Sequence, residues 1–470
     1  MSIEASMNAS IAATRFGLGA RPGEIELAQT DPAAFLKAQI RPDGADQPQG
    51  AFKTASQAFI GVRQAQIMRQ QNKAAGGAPA KDLMDDIRQG AEQEFLARAQ
   101  LACATDFAFR ERWTLFWCNH FTIGAKNADT LALAGPFERE AVRPHVFGRF
   151  EDLLIASSRH PAMLLYLDQT QSIGPNSPAA QRRAAANADP GKPAGLNENL
   201  GREIMELHTL GVGSGYTQAD VTEFARALTG WSLQGLNPPP PPSPFASIPP
   251  GTFVFRPNVH EPGARDILGK TYPAGGEDQA LAVLHDLAAH PATAQHLALK
   301  IARHFVADDP PPALVERLRR AYLRNDGRLD LVATALLDAP EAWTPRQGKF
   351  KTPYEFLVSS YRTLNREPVD FKLFGPVLTS LGQPPFSAPS PKGWAEDAQT
   401  WAAPDAVIKR MDWSEGYAAA AAPVIDQPVQ IAQNALGPQL SPAVSLAISR
   451  AETRPEALSI LLMSPEFQRR

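Results

Sequence analysis

Cysteine is scarce in this 470-residue chain, with Cys103 and Cys118 its whole complement. Two thiols form one disulfide at most, so a disulfide scaffold is excluded. Two buried reduced thiols on helices are the expectation. An excess of either charge is lacking too: 46 Lys and Arg stand against 49 Asp and Glu, a net charge of −3. Without a basic surplus no nucleic-acid partner is expected. Apolar runs of about 18 residues are absent, so no membrane span is expected. The segment 1–14 has no basic stretch followed by an apolar one, and no Arg-Arg pair. The expected compartment is therefore the cytoplasm. The periplasm is the alternative, if the chain leaves bound to a signal-bearing partner.

Proline, by contrast, is abundant, at 43 residues. It is excluded from helix interiors and welcome in first turns. Asp31-Pro32, His160-Pro161, His290-Pro291 and Pro310-Pro311-Pro312 each precede an apolar-periodic stretch and read as helix starts. A Pro-rich surface loop is expected over 237–251. Helical periodicity dominates elsewhere. Ala294, Leu297, Ile301 and Phe305 are spaced 3, 4 and 4, and similar stripes run through 92–119, 313–324 and 354–364. Strand signal is sparse: Thr252 to Phe255 alternates and pairs, on this reading, with Arg265 to Tyr272 in one small hairpin. Regions 42–91 and 172–195, rich in Ala, Gln, Gly and Asn, read as insertions or loops. The expected fold is mainly α: a single large helical domain over 10–468, built around a central αα-hairpin, with a small β-hairpin.

That central hairpin is the most informative stretch, Asn197 to Trp231. Asn197 is a good N-cap and Gly211 a good helix stop, which predicts a helix of about 13 residues between them. Leu196, Leu200, Ile204 and Leu207 form its buried stripe. Asn199, Glu203 and Glu206 lie beside that stripe, and His208 borders its other edge. After the Gly-rich turn, Thr217 and Asp220 make a short-armed capping box for a second helix with Val221, Phe224 and Leu228 inward. Glu198, Arg202, Glu206, Glu223 and Arg226 are spaced for ordinary ion pairs. The same spacing also suits a carboxylate-lined pocket of Glu203, Glu206 and Asp220, with His208. Such a pocket would supply acid/base groups or bind a divalent metal. Glu203-x-x-Glu206-x-His208 is not the Glu-x-x-His of di-iron bundles.

Nine histidines are present without a His-x-x-x-His zinc pair. His120 ends an aromatic helix beside Asn119, where core packing competes with a site role. His260 sits in a loop, where functional residues concentrate. His285, His296 and His304 lie on helices and read as packing or surface residues. Catalytic candidates are thus Glu203, Glu206, His208, Asp220, His120 and His260, with metal ligands undefined. No Gly-x-Ser-x-Gly elbow and no phosphate-binding Gly-x-x-x-x-Gly-Lys loop occurs.

Several segments together resemble the bacterial domain-of-unknown-function family numbered 1800. They are Arg15-Phe16-Gly17-Leu18-Gly19, Phe116 to Phe121, the whole 197–231 hairpin, His260-Glu261-Pro262-Gly263, Ile267-Leu268-Gly269, Gly382-Gln383-Pro384-Pro385 and Ser390-Pro391-Lys392-Gly393-Trp394. The resemblance marks Asn119, His120, Asn197, Glu198, Arg202, Glu203, Glu206, His208, Tyr216, Asp220, Arg226, Trp231 and His260. It implies no established reaction. It also implies a neighbour resembling an exported sulfatase/phosphatase-type hydrolase. Two roles stand open: a metal-assisted or acid/base hydrolase or lyase acting on a polymer or glycan, or a non-catalytic partner or carrier of that neighbour. For the second role, Trp394, Trp401, Trp413 and Arg410 offer interface anchors, against the alternative that they wrap onto the domain.

Overall fold

The computed structural model describes residues 3–74, 81–186, 195–236, 245 and 247–470. The architecture is mainly α. Among the described residues the strands make two antiparallel two-stranded sheets, and no helix is long and apolar enough to cross a membrane. The proline signals fall where helices begin. Asp31, His160 and His290 each accept a backbone N–H from the first turn of a helix that opens on proline, and a further helix runs Pro312–Arg324.

Two clusters of buried apolar side chains organise the helices. Trp113 anchors the first, stacked at 7° on Phe147 with ring centroids 6.1 Å apart and packed against Phe305 and Trp117. Its indole N–H donates to the Val146 carbonyl at 2.7 Å, which satisfies the polar edge of a buried ring. Phe95, Tyr354, Phe356 and Phe374 belong to the second cluster. The helices Ala108–His120 and Pro291–Phe305 contribute to the first, Lys81–Ala104 and Pro353–Thr363 to the second.

Of the two readings of 42–91, insertion or loop, the loop gives way to helix: the stretch carries Ala55–Ala74 and the first turns of Lys81–Ala104. Ala, Gln, Arg and Met are strong helix formers even where the apolar stripe is thin, and Phe59 and Val62 supply a buried face. Within 172–195, Ser177 caps a short helix, Pro178–Ala185; residues 187–194 lie outside the described residues. So do 237–244 and 246, most of the expected Pro-rich loop. The single β-hairpin is also corrected. Strand β2 (Phe253–Phe255) pairs with β1 (Trp231–Leu233), while β3 (Arg265–Ile267) pairs with β4 (Lys270–Tyr272). Trp231-Ser232-Leu233 follows the hairpin directly, is buried throughout, and carries too short a pattern to announce a strand.

The central hairpin forms as expected, with Leu200, Ile204, Val221, Phe224 and Leu228 buried. A Cβ on Gly201 would stand 3.3 Å from the Ala225 nitrogen, so the two backbones approach closely there. The first helix is not α throughout. It is α over Asn199–Glu203 and π over Ile204–His208. The Asn197 side chain accepts from the Asn199 N–H at 2.8 Å. Trp394, Trp401, Trp413 and Arg410 make intramolecular contacts. Trp401 is buried, Trp413 stacks on Tyr417, and Arg410 donates to Gln468 and to the Lys351 carbonyl.

Candidate functional site

The residues singled out from sequence fall in different neighbourhoods. A π turn widens the helix and leaves terminal carbonyls without intrahelical donors. His296 Nε2 meets the Leu207 carbonyl and His120 Nε2 meets the His208 carbonyl, each at 3.1 Å. Both histidines therefore carry their proton on Nε2 and close the π turn. His208 lies beside them, 6.1 Å from His120 between ring centroids. Burial, with Lys300 nearby, pushes the His208 pKa down to about 3 and the His296 pKa to about 4. His120 is likewise held far below the usual range by burial. All three are neutral imidazoles in an apolar setting.

Asp220 is committed to backbone. One oxygen accepts the Thr217 N–H at 2.7 Å in the expected capping box, and the other accepts the Leu268 N–H at 2.7 Å. Leu268 has φ of 51°, so this bond holds a left-handed residue in the β3–β4 turn. His260 Nδ1 bonds the Thr229 carbonyl at 2.8 Å, and its ring packs edge-on to Phe255. Glu203 is half-buried. Burial, then Glu206, raises its pKa, while Arg202 and Lys126 oppose the rise. Glu206 pairs with Arg202 at 3.5 Å, and Arg202 also holds Glu198 at 2.9 Å. Glu203 with Glu206, His120 with His208, and His260 thus have three different sets of neighbours. Among the described residues no group of three or more His, Cys, Asp or Glu is placed to hold a metal ion.

A cleft opens elsewhere, along the seam between the two apolar clusters, with a cavity volume of about 110 Å³. The Ala108–His120 helix gives it Arg112, Cys118 and Asn119, and Pro291–Phe305 gives it His304. Tyr354 and Glu355 come from the first turn of Pro353–Thr363, and the segments 383–388 and 394–396 close one side. Successive residues on a helix turn by about 100°. Cys118 and Asn119 can therefore face the cleft while His120 turns to the hairpin. Three motifs of the sequence reading meet here: Gln383 accepts the Tyr354 N–H at 2.8 Å, and Asn119 bonds the backbone of Trp394. Gly393 has φ of 84°, and a Cβ there would stand 2.5 Å from the Asn119 carbonyl oxygen. Only glycine fits that approach.

The charged lining is ordered. Glu355 Oε1 is shared by Arg112 at 2.6 Å and Arg470 at 3.0 Å. Burial would raise its pKa, but Arg470 and Arg112 hold it far below the usual carboxylate range. Arg98 pairs with Glu138 at 2.6 Å, and its guanidinium lies 4.3 Å over Phe95 and 4.7 Å over Tyr354. His304 Nδ1 contacts Glu396 Oε1 at 2.8 Å. Against the desolvation that would raise it, His304, Lys349 and Lys300 hold the Glu396 pKa at about 2. An ionised carboxylate only accepts, so Nδ1 carries the hydrogen. Burial lowers the His304 pKa despite Glu396. The imidazole is therefore neutral, with a lone pair on Nε2, and Nε2 has no hydrogen-bond partner. Cys118 is no nucleophile: burial, then Glu138, raises its pKa well above the ordinary thiol value.

None of the six residues chosen from sequence lines this cleft. Periodicity assigns His304 to packing or surface, and nothing local marks Glu355, Glu396 or Arg470, whose ion-pair partners lie far away in the chain. The available signal was that the 116–121, 382–385 and 390–394 motifs needed a common meeting point.

A family model described as "Protein of unknown function (DUF1800)" matches residues 11–469. No curated protein and no solved structure matches the chain.

Proposed function

The chain belongs to the DUF1800 family, whose description assigns no activity, and from the geometry of the cleft we propose that it is an acid/base hydrolase or lyase with His304 as general base. The observation that carries this reading is the His304–Glu396 pair. Glu396 fixes the tautomer through Nδ1, and a buried Nε2 with no hydrogen-bond partner is left on a cleft-lining residue. A carboxylate–histidine pair stabilises the imidazolium that forms when Nε2 takes a proton from water or substrate. Arg112 and Arg470, buried beside it, would stabilise negative charge developing on the reacting group. With Cys118 held as a thiol, the direct route uses water as nucleophile or removes a substrate proton in an elimination. At the hairpin, His120 and His296 each spend Nε2 on a π-turn carbonyl; both ring nitrogens of His208 lack a partner, so that no carboxylate is bonded to its ring to fix the tautomer.

The test is a panel of chromogenic glycosides, carboxylic esters, phosphate esters and sulfate esters, with polysaccharides followed for new unsaturation. Turnover by the wild type should fall about 10²-fold or more in His304→Gln. A variant within threefold of wild type would remove His304 from the mechanism.

A further inference from the structure

We propose that the ligand of this cleft carries an oxyanion on a ring-shaped body, and that the oxyanion seats on Arg112 and Arg470. The inference rests on the cleft being the functional site and adds the chemical class of what enters it. The first observation is a surplus of cations around few carboxylates. Glu355 answers the cleft-lining Arg112 and Arg470 and, behind them, Arg410 and Lys351, with Glu396 a second carboxylate acting on Arg112. All four cations are buried. Buried charge that lacks a counter-charge is costly, and it is relieved by loss of a proton or by an incoming ion. The strain shows in the groups themselves. Burial lowers the Arg112 pKa to about 9, with Arg470 adding to it, and burial takes Lys351 to about 7 despite Glu355.

The second observation is independent of titration. Arg112 and Arg470 line the cleft, each almost fully buried, and the Nε–H of each has no acceptor. Three of the four terminal nitrogens are occupied: Arg112 Nη2 by Glu355, Arg470 Nη2 by Glu355, and Arg470 Nη1 by the His304 carbonyl at 2.7 Å. What remains on offer is donor capacity on fixed, planar cations, the geometry that suits carboxylate, sulfate or phosphate oxygens. The ring-shaped body follows from the walls. Phe95, Tyr354, Phe386 and Trp394 all line the cleft; Arg98 covers one face of the first three, and the Trp394 ring with the remaining aromatic surface favours flat or ring-bearing ligands.

The experiment uses the full chain at constant ionic strength, with glucuronate, glucose 6-phosphate and a sugar sulfate as probes. Glucose and inorganic sulfate are the comparators, and thermal midpoint and calorimetric titration are the readouts. A saturable rise in the midpoint with at least one ring-bearing oxyanion is expected, with glucose inert. Affinity should be at least tenfold weaker in Arg112→Lys, which keeps the charge beside Glu355 and so protects folding. Arg470→Lys, read the same way, serves if that variant does not fold. Equal binding of glucose, no shift beyond that of sodium chloride, or unchanged affinity in the variants would overturn the proposal. Binding by inorganic sulfate as tight as by any sugar derivative would overturn the ring requirement. His304→Gln separates the two readings. Lost turnover with retained oxyanion affinity supports both. Retained turnover with oxyanion affinity sinks only the general base. His304-dependent turnover of neutral ligands alone sinks only the oxyanion.

Discussion

The carboxamide of Asn119 makes two hydrogen bonds to one residue, Trp394. Its Nδ2 donates to the Trp394 carbonyl at 3.1 Å and its Oδ1 accepts the Trp394 N–H at 2.7 Å. The end of an aromatic helix is thereby pinned to a segment 275 residues later, and both line the cleft. Asn119→Ala leaves a partly buried backbone N–H and C=O without partners. The expected cost is about 1–3 kcal/mol per buried group left unsatisfied, read as a lower urea midpoint with unchanged slope. Asn119→Asp keeps the acceptor and loses the donor, so it should fall between wild type and Asn119→Ala. An Ala variant as stable as wild type would show that the 390–394 segment is held by other contacts.

Glu355 is the shared counter-charge of Arg112 and Arg470 and also completes the capping box with Thr352. Glu355→Gln leaves two buried guanidiniums without their carboxylate and is expected to cost about 3–5 kcal/mol. The pH dependence follows from its depressed folded pKa. The unfolded carboxyl binds a proton first as pH falls, so this stabilisation is complete above the ordinary glutamate pKa. It is lost progressively as pH falls below that value towards the folded one. Urea unfolding between neutral pH and pH about 3 should show this acid limb in wild type and a shallower one in Glu355→Gln.

Much of the fold was legible from residue spacing. Thr217 and Asp220 announced a capping box and formed it, and prolines after Asp31, His160 and His290 marked helix starts. The failures share a cause. The α-to-π change at Ile204 depends on His120 and His296 reaching the freed carbonyls from other helices. The pairing of β1 with β2 spans a long connection that three-residue strands do not advertise. The cleft was hidden for the same reason. His304 and Glu396 are 92 residues apart, and nothing local to either distinguishes a base from a packing residue. The hairpin drew attention because its charges are close in sequence, where i, i+4 pairing is cheap and common.

The three neutral histidines at the hairpin predict a second acid sensitivity. His208 and His296 have folded pKa values of about 3 and 4, both depressed by burial. In the unfolded chain they titrate near the ordinary histidine value of about 6.5. Below that value the unfolded state binds the extra protons, so stability is complete above about pH 6.5 and declines as pH falls from there. The onset is higher than for Glu355, which separates the two in a stability–pH curve. His296→Gln retains a donor for the Leu207 carbonyl and cannot be charged. It should flatten the limb between about pH 6.5 and 4 while leaving the lower limb in place. A limb unchanged in that variant would assign the proton uptake to other groups.

Glu203 allows the hairpin and the cleft to be weighed against each other. Burial and Glu206 raise its pKa, so the fold disfavours its ionised form. Glu203→Gln removes the charge and keeps the shape. On a half-exposed helix face, stability at neutral pH should stay within about 0.5 kcal/mol of wild type, with any change in the stabilising direction. A fall of several kcal/mol would instead mark a carboxylate essential to its Arg202 and Lys126 surroundings. The comparison that decides the site is turnover of one substrate by Glu203→Gln and by His304→Gln. The cleft reading requires the larger loss in His304→Gln, together with a pH–rate profile whose ascending limb disappears in that variant. If Glu203→Gln loses more, and the limb moves with it, the proton transfer belongs to the hairpin carboxylates, and the His304–Glu396 pair is a buried structural contact.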